Sequence, residues 1–288
     1  MKTKKIKINR IKEEYNKNGF VLIKNFLPKK QCKEALQWLN KKNKKKLAKT
    51  WTEQEPGVDL AVYFVVHKKN SLIAKIAKNK KVLDIASQLV DEEVYIYSSK
   101  VNLKAAWCGA VEYFHQDLVY WKDRGYPRND MLSAMVFLEK HNEKNAPLKI
   151  FPKTHKLGFI KHYPFINVNG LAKYMVHPKK LNELNKKYGV HTINADVGDV
   201  LFFHMGCVHG SGHNISGSNR TVVLSQLNTF NNIPKNVEKN SKAFNLKRAK
   251  REYVESIRRS TWFKNKYLSQ LKSKKLTFSA PITNIEKK

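Results

Sequence analysis

The 288-residue chain lacks the features that mark exported, membrane-spanning and disordered proteins. Its three cysteines, Cys32, Cys108 and Cys207, form no Cys-x-x-Cys pair, which suits a reducing compartment without structural disulfides. No apolar run is long enough to cross a bilayer, and no apolar segment follows the charged N-terminus as in a signal peptide. With 41% hydrophobic residues the chain is not disordered. We therefore expect a folded, cytoplasmic protein.

Acidic residues are scarce, because 23 Asp and Glu face 56 Lys and Arg, and the net charge is +33. Such an excess is typical of proteins that bind nucleic acid or anionic membranes. However, most of the basic residues are lysines, spread from Lys2 to Lys288, whereas recognition of phosphates and bases favours the arginine fork. We therefore expect the positive field to attract small anionic substrates, and nucleic-acid binding is disfavoured.

The pattern of apolar residues predicts helices first, then many short strands, then a helical extension. A turn and short strand are predicted over 17–27, a helix from Pro28 to about Leu47, and one or two helices over 70–90. Strands are predicted over 94–97, 100–104, 131–138, 148–151, 197–204 and 220–230, interrupted by a lysine-rich helix over 178–188. Residues 236–275 predict a basic helix.

This order indicates an α+β protein in which a β-sandwich or barrel is flanked by helices. We predict a single domain over residues 1–288. Its parts are a strand with N-terminal helices over 17–93, a β core over 94–230, and a basic C-terminal helical extension over 231–288.

The segment around His115 and Asp117 carries the clearest chemical signal. In an extended chain, residues two apart face the same side, so an imidazole nitrogen and a carboxylate oxygen can reach one ion. A second histidine would complete a two-His-one-carboxylate facial triad, which holds ferrous iron and leaves coordination positions open. The candidates for that ligand are His141, His155, His177, His191, His204, His209 and His213.

Among these histidines, His209 is favoured because it ends a predicted strand beside glycines that allow a close approach. Arg220 starts the next predicted strand, and a hairpin would return it to the neighbourhood of His209. An arginine there can hold a carboxylate through two charge-assisted bonds. We expect His204 to be a core residue, His213 a surface residue and His155 a turn residue.

Together these motifs resemble the phytanoyl-CoA dioxygenase family of iron(II)/2-oxoglutarate-dependent oxygenases. The chain is similar to the small-molecule branch that includes ectoine hydroxylase. The likeness spans about residues 17–230 and rests on these stretches: Asn18–Leu27, Ser98–Lys104, His115-Gln116-Asp117 with Tyr120-Trp121, Pro152–Lys156, Gly198–Phe203, and His209 through Arg220. Two loops depart from the family, which often has a glycine where this chain has Ala146 and Lys153.

The resemblance implies a double-stranded β-helix, or jelly roll of the cupin kind, with helices flanking its major sheet. It also implies Fe(II), with 2-oxoglutarate and O2 as cosubstrates, and hydroxylation with release of succinate and CO2. The implied roles are iron ligation by His115, Asp117 and His209, 2-oxoglutarate binding by Arg220, Ser211 and Asn102, and substrate contact by Lys100 and Trp121. Because halogenating relatives lack the metal carboxylate, Asp117 favours oxygen insertion.

Several functions remain open at this stage. The first is hydroxylation of a small, possibly anionic or zwitterionic metabolite by a monomer or homodimer. The second is the same chemistry on a CoA- or carrier-bound acyl group, with the basic surface docking an acidic carrier. Two more distant alternatives are a nucleic-acid-binding oxidative demethylase and a non-catalytic jelly-roll module. Tyr120 and Lys104 are further candidates for substrate contact.

Overall fold

The computed structural model describes most of the chain, in separate ranges. These are residues 8–41, 52–55, 58–64, 66–68, 70–107, 111–120, 126–129, 131–166 and 172–232. Trp121, Cys108 and the basic helix predicted over 236–275 lie outside the described residues.

Helices are present in the predicted regions 28–47, 70–90 and 178–188, and one further helix, over residues 8–18, was not predicted. They are α1 (Ile8–Asn18), α2 (Lys29–Lys41), α3 (Leu72–Ala77), α4 (Lys80–Val90) and α5 (Pro178–Tyr188). The segment over 70–90 is a pair of helices, because Ser71 and Asn79 each cap a new helix by accepting a backbone N–H. The rest of the helix predicted to reach Leu47 lies outside the described residues. No helix in the described ranges is long and apolar enough to cross a membrane.

The strands form two facing sheets and a separate hairpin. They are β1 (Phe20–Ile23), β2 (Thr52–Glu55), β3 (Val58–Phe64), β4 (Val94–Lys104), β5 (Glu112–His115), β6 (Leu132–Phe137), β7 (Lys149–Ile150), β8 (His162–Ile166), β9 (Ala172–Val176), β10 (His191–Thr192), β11 (Val200–His204), β12 (His209–Ser211) and β13 (Arg220–Thr229). Among the described residues, the major sheet has the order β1-β11-β6-β13-β4-β3-β2 and the minor sheet β10-β7-β12-β5. All these pairs are antiparallel, as in a jelly roll.

Two hairpins were not predicted, and the helices-first description of residues 17–93 is wrong in this respect. The β2–β3 hairpin adds two strands at the edge of the major sheet, although β2 has the wholly polar sequence Thr-Glu-Gln-Glu. The β8–β9 hairpin pairs apart from both sheets and contains Pro164, which argues against a strand in a sequence-based reading. Both hairpins depend on backbone pairing, which leaves little trace in side-chain periodicity.

Alternation along the major sheet divides it into an apolar outer face and a partly polar inner face. On β6, Leu132, Ala134 and Val136 join the core that helices α1 to α4 cover. The intervening Met135 and Phe137 belong to a second core between the two sheets. On β4, the same alternation turns Val101 outward and places Lys100, Asn102 and Lys104 on the inner face. Cationic and amide side chains therefore lie within the sandwich.

The two loops that depart from the family pattern adopt backbone conformations that favour glycine. Ala146 has φ of 58° and Lys153 has φ of 64°, both in the left-handed region. A non-glycine residue in this region places its Cβ too close to the backbone, at a cost of about 1–2 kcal/mol. The chain therefore keeps the shape of both turns without the residue that suits them best.

Replacing Ala146 or Lys153 by glycine should therefore stabilise the protein. We expect Ala146→Gly and Lys153→Gly each to raise the free energy of unfolding by about 0.5–1 kcal/mol, since relief of steric strain outweighs the extra entropy of glycine in the unfolded chain. Equilibrium urea unfolding measures the change. Lys156→Gly, in the turn that follows Lys153 but without a positive φ, is the control and should lose about 0.5–1 kcal/mol. Destabilisation by both of the first two substitutions would contradict the argument.

Candidate active site

His115 and Asp117 lie together at the end of β5, although the backbone between them is not extended throughout. His115 is the last residue of the strand, and Asp117 begins a short 3-10 turn that runs to Tyr120. The prediction of one continuous extended segment was wrong in this detail. The turn nevertheless brings the two side chains together, with His115 Nε2 at 3.5 Å from Asp117 Oδ1.

His209 joins this pair across the minor sheet. It begins β12, rather than ending a strand as predicted, and it is the direct register partner of His115. The two imidazole rings lie 4.6 Å apart, and His209 Nε2 is 3.9 Å from Asp117 Oδ1. The next residue, Gly210, has no room for a Cβ, which would lie 2.8 Å from the carbonyl oxygen of Glu112. The expected glycine-dependent close approach is therefore present.

The three side chains form a buried set of metal-ligand donors. One donor atom from each of His115, Asp117 and His209 lies within 4.8 Å of the other two. The Nδ1 of His115 donates to the Tyr113 carbonyl at 2.7 Å, and that of His209 donates to the Cys207 carbonyl at 3.0 Å. These bonds fix the tautomer that leaves each Nε2 lone pair free to face an ion. The arrangement fits a two-His-one-carboxylate iron centre.

The electrostatics keep these groups in the protonation states that a metal requires. Burial acts to raise the pKa of Asp117, but the neighbouring imidazoles of His115 and His209 lower it well below the usual range. Burial, aided by the neighbouring His115, lowers the pKa of His209 to about 4. At neutral pH the carboxylate is therefore ionised and the His209 imidazole is neutral, so both are ready to bind a cation.

Arg220 reaches the interior by a route other than the predicted hairpin. It begins β13 in the major sheet, whereas His209 belongs to the minor sheet, so the hairpin prediction was wrong. Its guanidinium is buried and donates to the Ala146 carbonyl. Burial lowers the pKa of Arg220 to about 10, which still leaves it charged at neutral pH. The cation is thus held inside the sandwich.

Lys104 is a second buried cation beside Arg220. The two residues are register partners on β4 and β13, and Lys104 is completely buried. Its ammonium donates to Ser211 Oγ at 2.8 Å and to the Gly212 carbonyl at 2.7 Å. The predicted Ser211 is therefore next to a lysine that the sequence indicated only as a substrate contact. The carboxylate of Glu112 acts electrostatically on both cations, and such a buried cationic cluster also favours binding of a further anion.

Several buried polar atoms around this pair have no hydrogen-bond partner within the described part of the chain. They include Arg220 Nε, Asn102 Oδ1 and both ring nitrogens of His141. Such atoms are costly to bury unless a ligand or water meets them. Electrostatic coupling of His141 to Arg220 and Lys104 accompanies burial in lowering its pKa. These residues thus form a buried, polar cluster of positive charge whose chemistry suits a small carboxylate.

Aromatic and charged side chains lie next to the metal-ligand set. The ring of Tyr120 packs edge-on against His115 at 5.9 Å and against Tyr174 of β9 at 5.5 Å. Lys100 is partly buried on the inner face of β4 and acts electrostatically on Asp117 and His209. Tyr120 and Lys100 are therefore neighbours of the metal-ligand set. The predicted contact by Trp121 lies outside the described residues.

The remaining candidate histidines do not converge on the same point. His155 and His204 lie against each other with ring centroids 5.4 Å apart, His177 caps α5, and His191 packs on Phe20. The expected exposure of His213 is confirmed, and His155 lies in the short 3-10 turn after Pro152, as expected. His204 lies mostly buried at the end of β11 and accepts a hydrogen bond from the Gly206 N–H.

His204 should make the metal-free protein sensitive to acid. Burial, with a smaller effect of His155, lowers its pKa from 6.5 to about 4. Between these values the unfolded chain binds more protons than the folded chain, so stability falls as the pH drops through this window. In His204→Asn, we expect the loss of unfolding free energy from pH 7 to pH 4 to shrink by roughly 2 kcal/mol. Urea unfolding across this range in the presence of a chelator measures the slope, and an unchanged slope would contradict the assignment.

Gln116 lies between the ligands His115 and Asp117, directly after β5, and the sequence did not indicate a role for it. Its side-chain amide donates to the carbonyls of Gly158 and Gly206 and accepts the N–H of Ile160. Its backbone N–H donates to His162 Nε2 at 2.9 Å. Nothing in the sequence marked these contacts, because most of them join the residue to distant backbone atoms.

Comparison with known proteins identifies the family. The model of the phytanoyl-CoA dioxygenase (PhyH) family matches residues 15–222. The chain belongs to this family. Among curated relatives, ectoine dioxygenase of Bordetella bronchiseptica is 26% identical over 230 residues, covering 76% of this chain and 75% of the relative. L-proline trans-4-hydroxylase of Streptomyces griseoviridis is 27% identical over 179 residues, covering 58% and 67%.

Solved structures show the same fold. EctD from S. alaskensis, solved with 2-oxoglutarate and 5-hydroxyectoine, has a TM-score of 0.67 and 22% identity, covering 78% of this chain and 77% of that one. The epimerase SnoN, solved with Fe3+, alpha ketoglutarate and nogalamycin RO, has a TM-score of 0.61 and 15% identity, covering 76% and 82%. The expected jelly roll is confirmed. Family membership also confirms the expected enzyme class, an Fe(II)/2-oxoglutarate-dependent dioxygenase.

Proposed function

We propose that this dioxygenase hydroxylates a small, anionic or zwitterionic metabolite, with conversion of 2-oxoglutarate to succinate and CO2. The observation that carries the proposal is the convergence of His115, Asp117 and His209 in a protein that also buries the cations Arg220 and Lys104. A metal site alone would suit many activities. The buried cations add partners for the distal carboxylate of a diacid, as 2-oxoglutarate requires.

In this proposal, the two imidazoles and the carboxylate hold the ion on one face. Bound Fe(II), with 2-oxoglutarate and O2, supplies the oxidising chemistry, and the protein supplies binding and orientation. Ser133 donates a long hydrogen bond of 3.4 Å to Asp117 Oδ2, and so helps to orient that carboxylate. Ligand burial limits access of bulk water to the reacting centre.

The cosubstrate is proposed to lie along the inner face of the major sheet. Arg220 and Lys104 would hold the distal carboxylate of 2-oxoglutarate. Ser211 accepts a hydrogen bond from the Lys104 ammonium and so orients that ammonium. Asn102, two residues before Lys104, lies on the same face of β4. Its amide oxygen has no hydrogen-bond partner among the described residues, so it is available to a ligand or a water molecule. Because two fixed positive charges flank one site, a dicarboxylate should bind better than a monocarboxylate.

The substrate is proposed to enter over Lys100, Tyr120 and Tyr174. A lysine and a pair of aromatic rings packed edge-on suit a compact molecule with a carboxylate and an apolar or cationic part. Trp121, adjacent to Tyr120 in sequence, keeps its predicted role as a substrate contact. The relatives that act on ectoine and proline support the size and class of the substrate, but at about 26% identity they do not identify it.

A screen of small amino acids, zwitterions and phosphonates with Fe(II) and 2-oxoglutarate tests the proposal. We expect at least one to stimulate succinate release and to gain one oxygen atom by mass spectrometry. Asp117→Ala should lower this coupled turnover more than about 100-fold, since it removes a metal ligand, while circular dichroism reports an intact fold. Full activity of the folded variant would contradict the metal assignment.

The same screen separates the alternatives. Turnover only with coenzyme A thioesters or acylated carrier protein would favour the carrier-bound reading, for which the +33 charge offers a docking surface. Turnover only on methylated nucleic acid, with affinity falling steeply in salt, would favour the demethylase. Metal binding without succinate formation on any substrate would indicate a non-catalytic module. Size-exclusion chromatography distinguishes between a monomer and a homodimer. The proposed location of the protein is the cytoplasm.

Arg220 should govern affinity for the cosubstrate. In Arg220→Ala we expect the KM for 2-oxoglutarate to rise about 100-fold, because the distal carboxylate loses its main charge partner in a buried site. Arg220→Lys keeps the positive charge but loses the bidentate guanidinium, so its KM for 2-oxoglutarate should lie between those of the wild type and Arg220→Ala. Steady-state kinetics, together with direct titration of 2-oxoglutarate into the Fe(II)-loaded protein, measure the effect. An unchanged KM in the alanine variant would remove Arg220 from the cosubstrate site.

A further inference from the structure

We propose that His162, on the β8–β9 hairpin, is a positioning residue that sets the affinity of the site for Fe(II). His162 acts through Gln116, the residue between the proposed ligands His115 and Asp117, and does not touch the ion. The inference rests on the proposed function only in taking His115 and Asp117 as ligands.

The contact between His162 and this peptide is direct and buried. The backbone N–H of Gln116 donates to His162 Nε2 at 2.9 Å, and His162 is 9% exposed. The opposite ring nitrogen, Nδ1, donates to the Ile160 carbonyl at 2.6 Å. This second bond fixes the neutral tautomer whose Nε2 carries the accepting lone pair.

Gln116, His162 and Ile160 form a closed loop of hydrogen bonds. Gln116 donates its backbone N–H to His162, His162 donates to the Ile160 carbonyl, and the Ile160 N–H donates back to Gln116 Oε1 at 2.8 Å. The Gln116 amide also donates to Gly206, three residues before His209. These bonds together restrain Gln116, the residue whose conformation sets the spacing of His115 and Asp117.

The rest of the hairpin is also anchored to the metal-bearing strand. Lys173 of β9 pairs with Glu112 of β5 at 3.1 Å, and Phe165 of β8 packs edge-on against Tyr113 at 4.9 Å. Tyr174 packs against Tyr120 in the turn that begins with Asp117. The hairpin therefore holds β5 at both the strand and the turn, and His162 is its contact with the peptide between the ligands.

Two amide substitutions of different reach test the proposal. The oxygen of His162→Gln can occupy the position of Nε2 and accept from Gln116, whereas the shorter His162→Asn reaches only the position of Nδ1. We expect the Kd for Fe(II) to rise roughly tenfold in His162→Asn and in His162→Phe, and to stay near the wild-type value in His162→Gln. Anaerobic titration of Fe(II) against a competing chelator measures the Kd.

A matched control and a stability measurement separate positioning from general folding. Tyr163→Leu changes an exposed neighbour in the same strand and should leave the Kd for Fe(II) unchanged. Thermal unfolding of the metal-free variants reports their stability. A merely structural role would lower the melting temperature without changing the Kd of the folded protein.

The outcomes distinguish this inference from the proposed function. If the wild-type protein binds Fe(II) and folded His162→Asn and His162→Phe bind it equally well, the positioning role is wrong and the iron site stands. If the wild-type protein does not bind Fe(II), the proposed function falls and this inference falls with it. If every substitution at His162 unfolds the metal-free protein, the histidine is a folding residue and the proposal is overturned.

Discussion

The pairing of β5 with β12 is the constraint on which the rest of the site depends. It places His115 opposite His209, two residues that are 94 positions apart in the chain. Gly210 is required beside His209 because any side chain there would meet the backbone of β5. Once the two strands are this close, the turn after His115 has only to bring Asp117 to the same point. The metal-ligand set is thus a consequence of one register and one close approach.

The second organising feature is the positive charge buried within the sandwich. Burying Lys104 and Arg220 side by side is unfavourable unless negative charge compensates them. Glu112 supplies one such charge, and a bound carboxylate would supply another. The hydrogen bonds to Ser211, Gly212 and Ala146 hold both cations in place before a ligand arrives. Preorganisation of this kind lowers the cost of binding a small dicarboxylate.

Features of the protein that depend on residues close together in the sequence could be predicted, whereas features that depend on contacts between distant segments could not. The proximity of His115 and Asp117 could be predicted because both residues belong to one short segment. The strands β6 and β13 could be predicted because their apolar patterns are long. β4 was predicted as two segments, 94–97 and 100–104, because the polar residues Ser98 and Ser99 interrupt its apolar pattern. The predicted hairpin between His209 and Arg220 was wrong. The two residues are close in sequence, but the chain crosses from the minor sheet to the major sheet between them. The hairpin containing His162 was missed, because Pro164 argues against a strand and the key partner of His162 is a backbone N–H.

The amino-acid sequence by itself determined the chemical inventory and the family. It supplied an imidazole and a carboxylate two residues apart, a later histidine flanked by glycine, and the alternating strands of an α+β fold. The sequence already favoured His209 as the third ligand, and the structure placed it beside the pair. Only the tertiary structure decided that Lys104 lies beside Arg220 and that His162 holds the residue between two ligands. The physical reason is that strand register in an antiparallel sandwich is set by packing among distant segments. No local property of the chain encodes which side chains will then face one another.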